Sequence, residues 1–533
     1  MTKTKKAESV STTGRNATLI AALLGWMFDG FEMGLFPLIG KPALQDLLAG
    51  SEQSGSVSSW FGVIYAVFLV GAASGGVLFG WLGDKMGRVK AMSLSIFTYA
   101  VFTGLCGFAT EAWHIALLRF VASLGMGGEW SLGVALVNEI WPGKSRAFIA
   151  GLIGAASNVG FLLVALLSMG LTEFITSIHS LLLSAGLSET TAQYFLENSA
   201  WRFLMVSGAV PALLIFFIRL FVPESAKWEE EHKSGKTAHW NNSDLLAVFA
   251  GCLAAIGIIY VWSPLATDHL TFLKNVSPQF VNFWNPIRVG ITLIGLAACM
   301  MSFLHPVRQF LRRAVASGKV AEAQRSSIVG RMLLGSALAG VALLGTWGSI
   351  QWAPSWADGL LPNEEIKLDD GTVQVGVKHY AKEKTQAALA IGAIFGTILA
   401  ALAAGRFGRR ITYAILCLGS VASAVYFYRG HDAFNLSFLL AAVLAGGVTA
   451  GFYGFFPLYF PELFPTSVRA TGQGFAFNFG RVIAAIGSLQ TANLKEWFGG
   501  DMPKAGSALA AIYLIGVVII WFGPETKVKG LPD

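Results

Sequence analysis

Asp29 and Glu32, in Phe28-Asp29-Gly30-Phe31-Glu32-Met33, stand three residues apart inside an otherwise apolar run, so on a helix they share one face. Within hydrocarbon an ionisable side chain is costly enough that function is its default reading. A dehydrated carboxylate with a second one beside it can load and release a proton near neutral pH. The structural alternative is a helix cap or a pair with a basic residue. Arg481, mid-run in Asn478-Phe479-Gly480-Arg481-Val482, supplies the opposite charge. A buried guanidinium needs an anion, and its planar fork suits a carboxylate bidentately. That anion is either Asp29 or Glu32, or the carboxylate of a small molecule. Asn478, three residues earlier, lies on the face to orient either one. The two alternatives can alternate in time: substrate displaces the protein carboxylate, which then takes a proton, and the two movements are coupled.

Other polar residues sit in or at the ends of apolar runs. Arg119 falls in the outer half of its run, with Glu129 nearly three helical turns further on. It serves either a proton path or a packing ion pair. Glu129, with the pairs Glu139/Arg146 and Glu462/Arg469, lies toward one set of helix ends and reads as a gate or helix-end salt bridge. Trp347, Gln351 and Trp352, near Pro354 and Trp356, gather at the other end of their run. They form either an interfacial aromatic belt or a stacking surface for a ring-bearing substrate.

These residues need membrane helices to position them. The 533 residues are 54% hydrophobic and only 13% charged, with mean hydropathy +0.60, against about 25% charged in soluble chains. That much apolar surface excludes a water-soluble core. Apolar spans fall at about 17–40, 60–81, 89–110, 113–137, 147–171, 202–222, 244–262, 287–304, 327–350, 385–404, 411–428, 434–459, 468–492 and 506–522. Fourteen crossings are therefore expected. Lys/Arg clusters at 3–15, 85–90, 144–146, 227–236, 308–325, 406–410 and 527–529 then share one side, which the positive-inside bias makes cytoplasmic, with both termini. Segment 172–200 and the acidic stretch 358–370 fall on the other side. The net charge of +7 reports this orientation, not nucleic-acid binding. The first run is read as a retained helix, not a removed signal peptide. Cys106, Cys252, Cys299 and Cys417 have no metal-ligand spacing and read as buried free thiols.

An internal repeat divides the chain. Gly405-Arg406-Phe407-Gly408-Arg409-Arg410 occupies the place in the second half that Asp84 to Val89 occupies in the first, with Gly405 replacing the aspartate. Asn138 to Arg146 is likewise matched by Pro461 to Gly472. The expected organisation is a tail 1–16, a six-helix bundle 17–222, central loops with two inserted helices 223–326, a second bundle 327–522 and a tail 523–533. The fold class is thus an all-α membrane protein of two pseudo-symmetric six-helix bundles with two extra helices between them.

The stretch Gly80-Trp81-Leu82-Gly83-Asp84-Lys85-Met86-Gly87-Arg88-Val89-Lys90 resembles the second-to-third-helix signature of the major facilitator superfamily, G-x-x-x-D-R/K-x-G-R/K-x-R/K. The resemblance extends along nearly the whole chain. Arg119-Phe120 to Gly125-Met126-Gly127-Gly128-Glu129-Trp130 is similar to the fourth-helix motif of its proton-coupled metabolite and organic-acid branches. Phe28 to Met33 resembles the D-G-F/Y-D of aromatic-acid:proton symporters, and Gly480-Arg481 their eleventh-helix pair. Val222-Pro223-Glu224-Ser225-Ala226-Lys227-Trp228 and Gly523-Pro524-Glu525-Thr526-Lys527 resemble the ends of the two bundles. The resemblance implies that Gly80, Asp84, Gly87 and Arg88 belong to a conformational charge relay, and Arg119 to a proton pathway. Asn158-Val159-Gly160 lacks the Gly-Pro of drug antiporters. The glutamine motifs of sugar porters are also missing.

The expected function is proton-coupled symport of a small organic anion by alternating access, in the cell's inner membrane. Small-molecule substrate, protons and lipid are the partners. No cofactor, metal or enzymatic constellation is expected. A proton-independent sugar or polyol facilitator and a non-transporting nutrient sensor are the alternatives.

Overall fold

The computed structural model describes residues 12–49, 57–141, 145–235, 240–263, 266, 278–317, 322–361, 365–367, 373–375, 379–527 and 531–532. Its first half comprises α1 (Thr12–Leu48), α2 (Val57–Met86), α3 (Arg88–Leu105), α4 (Ala112–Ile140), α5 (Arg146–Ser184), α6 (Glu189–Ser207) and α7 (Leu214–Phe221). A short polar helix, α8 (Ala226–Lys233), leads to α9 (Leu245–Trp262) and α10 (Pro278–Ala316). The second half comprises α11 (Glu322–Gly348), α12 (Ala353–Leu360), α13 (Ala381–Phe407), α14 (Arg409–Arg429), α15 (Leu436–Tyr459), α16 (Arg469–Trp497), α17 (Met502–Ala510) and α18 (Tyr513–Ile519).

Among the described residues, twelve helices are long and apolar enough to cross a membrane. The two other expected spans are helical but differ in kind. The sixth is broken: Val210–Leu213 is a 3-10 turn carrying Pro211, and a proline inside a helix removes one ladder hydrogen bond. The thirteenth, α16, holds too many polar side chains to read as a span by hydropathy, yet its Gln473, Asn478 and Arg481 are buried.

Two loops also depart from expectation. The segment following residue 171 continues α5 as far as Ser184, because nothing between 172 and 184 breaks a helix. The next helix starts at Ser188, whose hydroxyl accepts from Thr191 N at 3.3 Å. β1 (Glu365–Lys367), in the acidic stretch, pairs antiparallel with β2 (Val373–Val375) beyond it, so a two-stranded ladder interrupts the all-α fold. Glu364, Asp369 and Asp370 lie outside the described residues, as do Lys3, Lys5 and Lys6.

The internal repeat is visible in the backbone. Gly87 turns α2 into α3 at φ 109°, and Gly408 turns α13 into α14 at φ 99°, a region that side chains rarely adopt. Close helix approach positions the polar residues of α1. A Cβ at Gly30 would stand 1.7 Å from Ser157 O, and one at Gly160 1.9 Å from Met27 O, so α1 and α5 touch backbone to backbone.

The inserted helices α9 and α10 pack on each other. Cys299 Sγ donates to Gly251 O at 3.1 Å, Trp262 Nε1 to Thr292 Oγ1 at 2.9 Å, and Arg313 pairs with Asp244 at 2.5 Å. Val70 of α2, Ile258 of α9 and Val482 of α16 line one small apolar cavity, so the pair sits where the two halves meet. Its other face exposes Leu246, Leu253 and Ile294, as a lipid-facing surface does. All four cysteines are free and buried.

Candidate functional site

A cavity of about 110 Å³ lies between the halves, lined by α1, α4 and α5 from the first and by α11, α13, α15 and α16 from the second. Asp29 and Arg481 face it from opposite halves. Both are buried, at 4% and 5% exposure. Arg481 lies over the Phe477 ring at 5.2 Å, and Phe477 stacks on Trp130 at 3.9 Å and 12°. Its Nε and Nη1 have no hydrogen-bond partner, and no described carboxylate forms an ion pair with it. Asp29 is close enough to act on it electrostatically, but one Asp29 oxygen is equally unpartnered. A buried guanidinium left this open is costly, and it opens onto a cavity.

Glu32 does not share that environment, although it is one turn from Asp29. It turns into the first bundle, where Arg119 lies 3.1 Å away and Thr103 Oγ1 donates to it at 3.1 Å. Arg119 is enclosed by Phe36 and Phe68, at 5.1 and 4.7 Å from their ring centres. The Arg119–Glu32 contact has ion-pair distance without hydrogen-bond alignment, since Arg119 Nη1 remains unpartnered. Neither residue lines the cavity.

Glu129 also differs from its expected place at a gate. It forms no ion pair among the described residues. Instead its carboxylate is pressed against Gly25, where an added Cβ would meet Oε1 at 1.7 Å, and faces Asp29 and Tyr99. Tyr99 Oη, one Asp29 oxygen and one Glu129 oxygen are all buried without partners. Three open polar atoms in one cluster are unusual in a packed interior.

Asn478 is fully buried but absent from the cavity wall. Its Nδ2 donates to Gly127 O at 3.2 Å and its side chain fills the space beside Gly76, so it fastens α16 to α2 and α4. Trp347 and Gln351 line the cavity, whereas Trp352 lines only a smaller one beside it. Trp347 packs edge-on to Tyr65 at 5.8 Å and Trp352 to Phe61 at 6.2 Å. These contacts join the halves on that flank. Asn158, Gln386 and Tyr453 also line the cavity. Neutral side chains of this kind carried no signal in the sequence.

On the other flank the charged loop motifs form two networks. Arg88 bonds Asp84 at 2.7 Å and Glu139 at 3.4 Å. Asp84 Oδ2 accepts from Thr471 N at 2.9 Å and Thr471 Oγ1 at 2.5 Å. Gly80 lies against the same turn of α16, since its added Cβ would be 3.0 Å from Ala470 O. Glu139 bonds Arg469 at 3.0 Å. In the second network Glu462 accepts two bonds from Arg409, at 2.7 and 3.0 Å, and pairs with Arg146. The expected pairs Glu139/Arg146 and Glu462/Arg469 have therefore exchanged partners: each glutamate takes the arginine of the opposite half. Glu224 accepts from Arg88 N and Val89 N at 2.9 and 3.1 Å, and Glu525 from Arg409 N and Arg410 N at 2.8 and 3.2 Å.

With this geometry in view, known proteins supply the context. The family model described as sugar (and other) transporter matches residues 17–245 and 366–528. A putative metabolite transport protein of Haemophilus influenzae is 26% identical over 514 residues, covering 96% of this chain and 97% of that one. The cis,cis-muconate transport protein of Acinetobacter baylyi is 24% identical, over 95% of this chain and 94% of that one. Among solved structures, the major facilitator superfamily proton:xylose symporter XylE bound to 6-bromo-6-deoxy-D-glucose superposes with a TM-score of 0.63. It does so at 17% identity over 98% of both chains, a likeness of fold.

Proposed function

This chain belongs to the sugar (and other) transporter family, and we propose that it is a proton-coupled symporter of a small organic carboxylate. As a family member it is a multi-pass membrane transporter and not an enzyme. The observation that carries the finer reading is Arg481: a buried, unpaired guanidinium opening onto a cavity between the two halves. It is suited to a carboxylate. A neutral sugar would leave its charge uncompensated. The relationship to a muconate transport protein agrees with an anionic substrate.

In this reading the proton is held by the cluster of Asp29, Glu129 and Tyr99, and Glu32–Arg119 forms a second charged station above it. Substrate carboxylate on Arg481 and a proton on Asp29 together neutralise the midplane. The bundles 17–222 and 327–522 then rock about the cavity without dragging bare charge through hydrocarbon. The Asp84–Arg88–Glu139–Arg469 network closes the cytoplasmic side, where both termini lie, and Trp347, Gln351 and Trp352 line the outer approach. Asn478 acts by seating α16, which carries Arg481.

The test is proton movement in proteoliposomes of purified protein challenged with carboxylates and neutral sugars, beside Arg481→Ala and Asp29→Asn. Carboxylate-dependent proton uptake that disappears in both variants is expected. Sugar flux without proton movement, indifferent to Arg481, would overturn the proposal in favour of a facilitator.

A further inference from the structure

We infer that a groove of about 440 Å³ on the second bundle binds the phosphate headgroup of an anionic phospholipid. Ser327, Gly330, Arg331 and Leu334 of α11 line it, with Arg410 of α14 and the Phe522–Pro524 segment that follows α18. None of these residues lines the cavity between the halves, so the two sites are separate. The groove lies at the end of the molecule that carries the basic loops. The positive-inside bias puts that end at the cytoplasmic leaflet, whose anionic lipids attract basic residues.

Charge is the first argument. Arg331 and Arg410 give the groove two half-buried guanidiniums. Each commits one N–H to the backbone: Arg331 Nη1 donates to Leu463 O at 3.0 Å, and Arg410 Nε to Gly523 O at 2.7 Å. Those bonds anchor the side chains, and a guanidinium has further N–H groups in its fork, a geometry that suits phosphate oxygens. Among the described residues neither guanidinium forms an ion pair. Glu525, one residue past Pro524, gives its carboxylate to the backbone N–H groups of Arg409, Arg410 and Lys527 instead, and it does not line the groove.

The rim supplies the second argument. Phe522 lines the groove and is 79% exposed, and Val518 and Trp521 before it are exposed as well. Phe407 and Ile411, which flank Arg410 in the chain, are exposed too. Two cations bordered by apolar side chains match a molecule that carries phosphate and hydrocarbon together; inorganic phosphate would use the cations alone. A zwitterionic headgroup brings its own cation toward the second guanidinium, whereas phosphatidylglycerol brings none. The groove also has room: a Cβ added at Gly330 would meet nothing within 4 Å. A larger side chain there can fill the groove without displacing its walls.

The experiment titrates purified full-length protein in non-ionic detergent with dioleoyl phosphatidylglycerol or dioleoyl phosphatidylcholine. The lipid concentration giving half-maximal thermal stabilisation is read for each. Phosphatidylglycerol is expected to act at about tenfold lower concentration. Gly330→Leu, which fills the groove, should abolish that preference, and so should Arg331→Gln combined with Arg410→Gln. Arg406→Gln, which removes an exposed loop arginine outside the groove, should leave it intact. Equal responses to the two lipids in the wild type overturn the inference. So does a preference that survives Gly330→Leu, and this variant decides the matter even where the arginine variants fail to fold. A preference lost equally in Arg406→Gln would reduce the effect to diffuse surface charge and overturns the site. Inorganic phosphate at matched ionic strength should not stabilise. Stabilisation by it that Gly330→Leu removes would assign the groove to a soluble phosphate and overturn the lipid.

Discussion

The two loop stations at the charged end of the molecule descend from one repeated pattern but are wired differently. In each, a glycine with positive φ turns one helix into the next, an arginine follows it, and a glutamate from the end of the half caps the new helix. The difference is the residue four positions before the arginine. Asp84 in the first station reaches across to Thr471 at the start of α16 while also holding Arg88. Gly405 in the second has no side chain to reach with; a Cβ there would meet Ala147 Cβ at 3.1 Å. Arg409 consequently depends on Glu462, which it shares with Arg146, whereas Arg88 has both Asp84 and Glu139. One station is a latch between the halves with a reserve acid, and the other concentrates its charge balance on one glutamate.

The largest expected effect follows from that concentration. Glu462→Ala removes the paired carboxylate of both Arg146 and Arg409, while Glu139→Ala removes one from Arg469 and leaves Arg88 with Asp84. Breaking a buried pair costs about 3–5 kcal/mol because a charge is left uncompensated. Glu462→Ala should therefore lower the unfolding midpoint in detergent well beyond Glu139→Ala. Equal losses would mean that the reserve acid at position 84 gives Arg88 no protection.

A smaller change should break the latch without unfolding the protein. Thr471→Val deletes the hydroxyl donor to Asp84, worth about 1–3 kcal/mol where the acceptor is charged and buried. If that contact exists in one access state alone, the population should shift by roughly five- to a hundredfold. With all four native cysteines buried, Ser131→Cys offers a reporter just inside the latch, beside Gln473. Thiol labelling from the loop-motif side should accelerate in the Thr471→Val background. Gly405→Asp should slow it, by giving the second station the acid it lacks. Unchanged labelling in both would assign these contacts to packing and remove them from gating.

Much of this architecture was legible in the sequence for one reason: charge inside hydrocarbon is conspicuous. Asp29 and Arg481 stood out for that reason, and the structure brings both to one cavity. The same logic fails where the determinant is neutral. Asn158 and Gln386 resemble any polar residue tolerated in a helix, and nothing in the local pattern says that they line a cavity between the halves. Helix spacing also states which residues share a face without saying what the face meets. Asp29 and Glu32 are three apart, yet the first looks into the cavity and the second into Thr103 and Arg119. Asn478 shares a face with Arg481 but meets Gly127 and Gly76 instead of the cavity. The exchanged partners of Glu139 and Glu462 are hidden for a related reason. Local sequence favours Arg146 and Arg469 as neighbours, whereas closure of the two halves brings the opposite arginines closer. Helical spacing puts Glu129 toward a helix end, whereas Gly25, which admits its carboxylate between α1 and α4, brings it beside Asp29.

The finest contrast between the stations is between their caps. Burial pushes the Glu224 carboxyl above its ordinary value despite the backbone N–H groups that bond it. Burial acts the same way on Glu525, but the N–H groups of Arg409, Arg410 and Lys527 and the Arg409 charge outweigh it, so its carboxyl is held below that value. The signs of the linkage are opposite. The contribution of Glu525 is present above its unfolded value and is lost as pH falls through its lowered folded value. The folded state instead favours the protonated form of Glu224, so its contribution is complete below the unfolded value and is lost as pH rises through the raised folded value. Glu525→Gln should therefore destabilise at pH 7 by less than about 1 kcal/mol, since the group is exposed, with the penalty fading toward pH 4. Glu224→Gln should cost less at pH 8 than at pH 5, because the ionised form it replaces is the disfavoured one. Unfolding midpoints of the two variants against wild type between pH 4 and 8 decide the matter: parallel profiles would mean that the repeated caps are electrostatically equivalent and that the asymmetry of the stations ends at position 84.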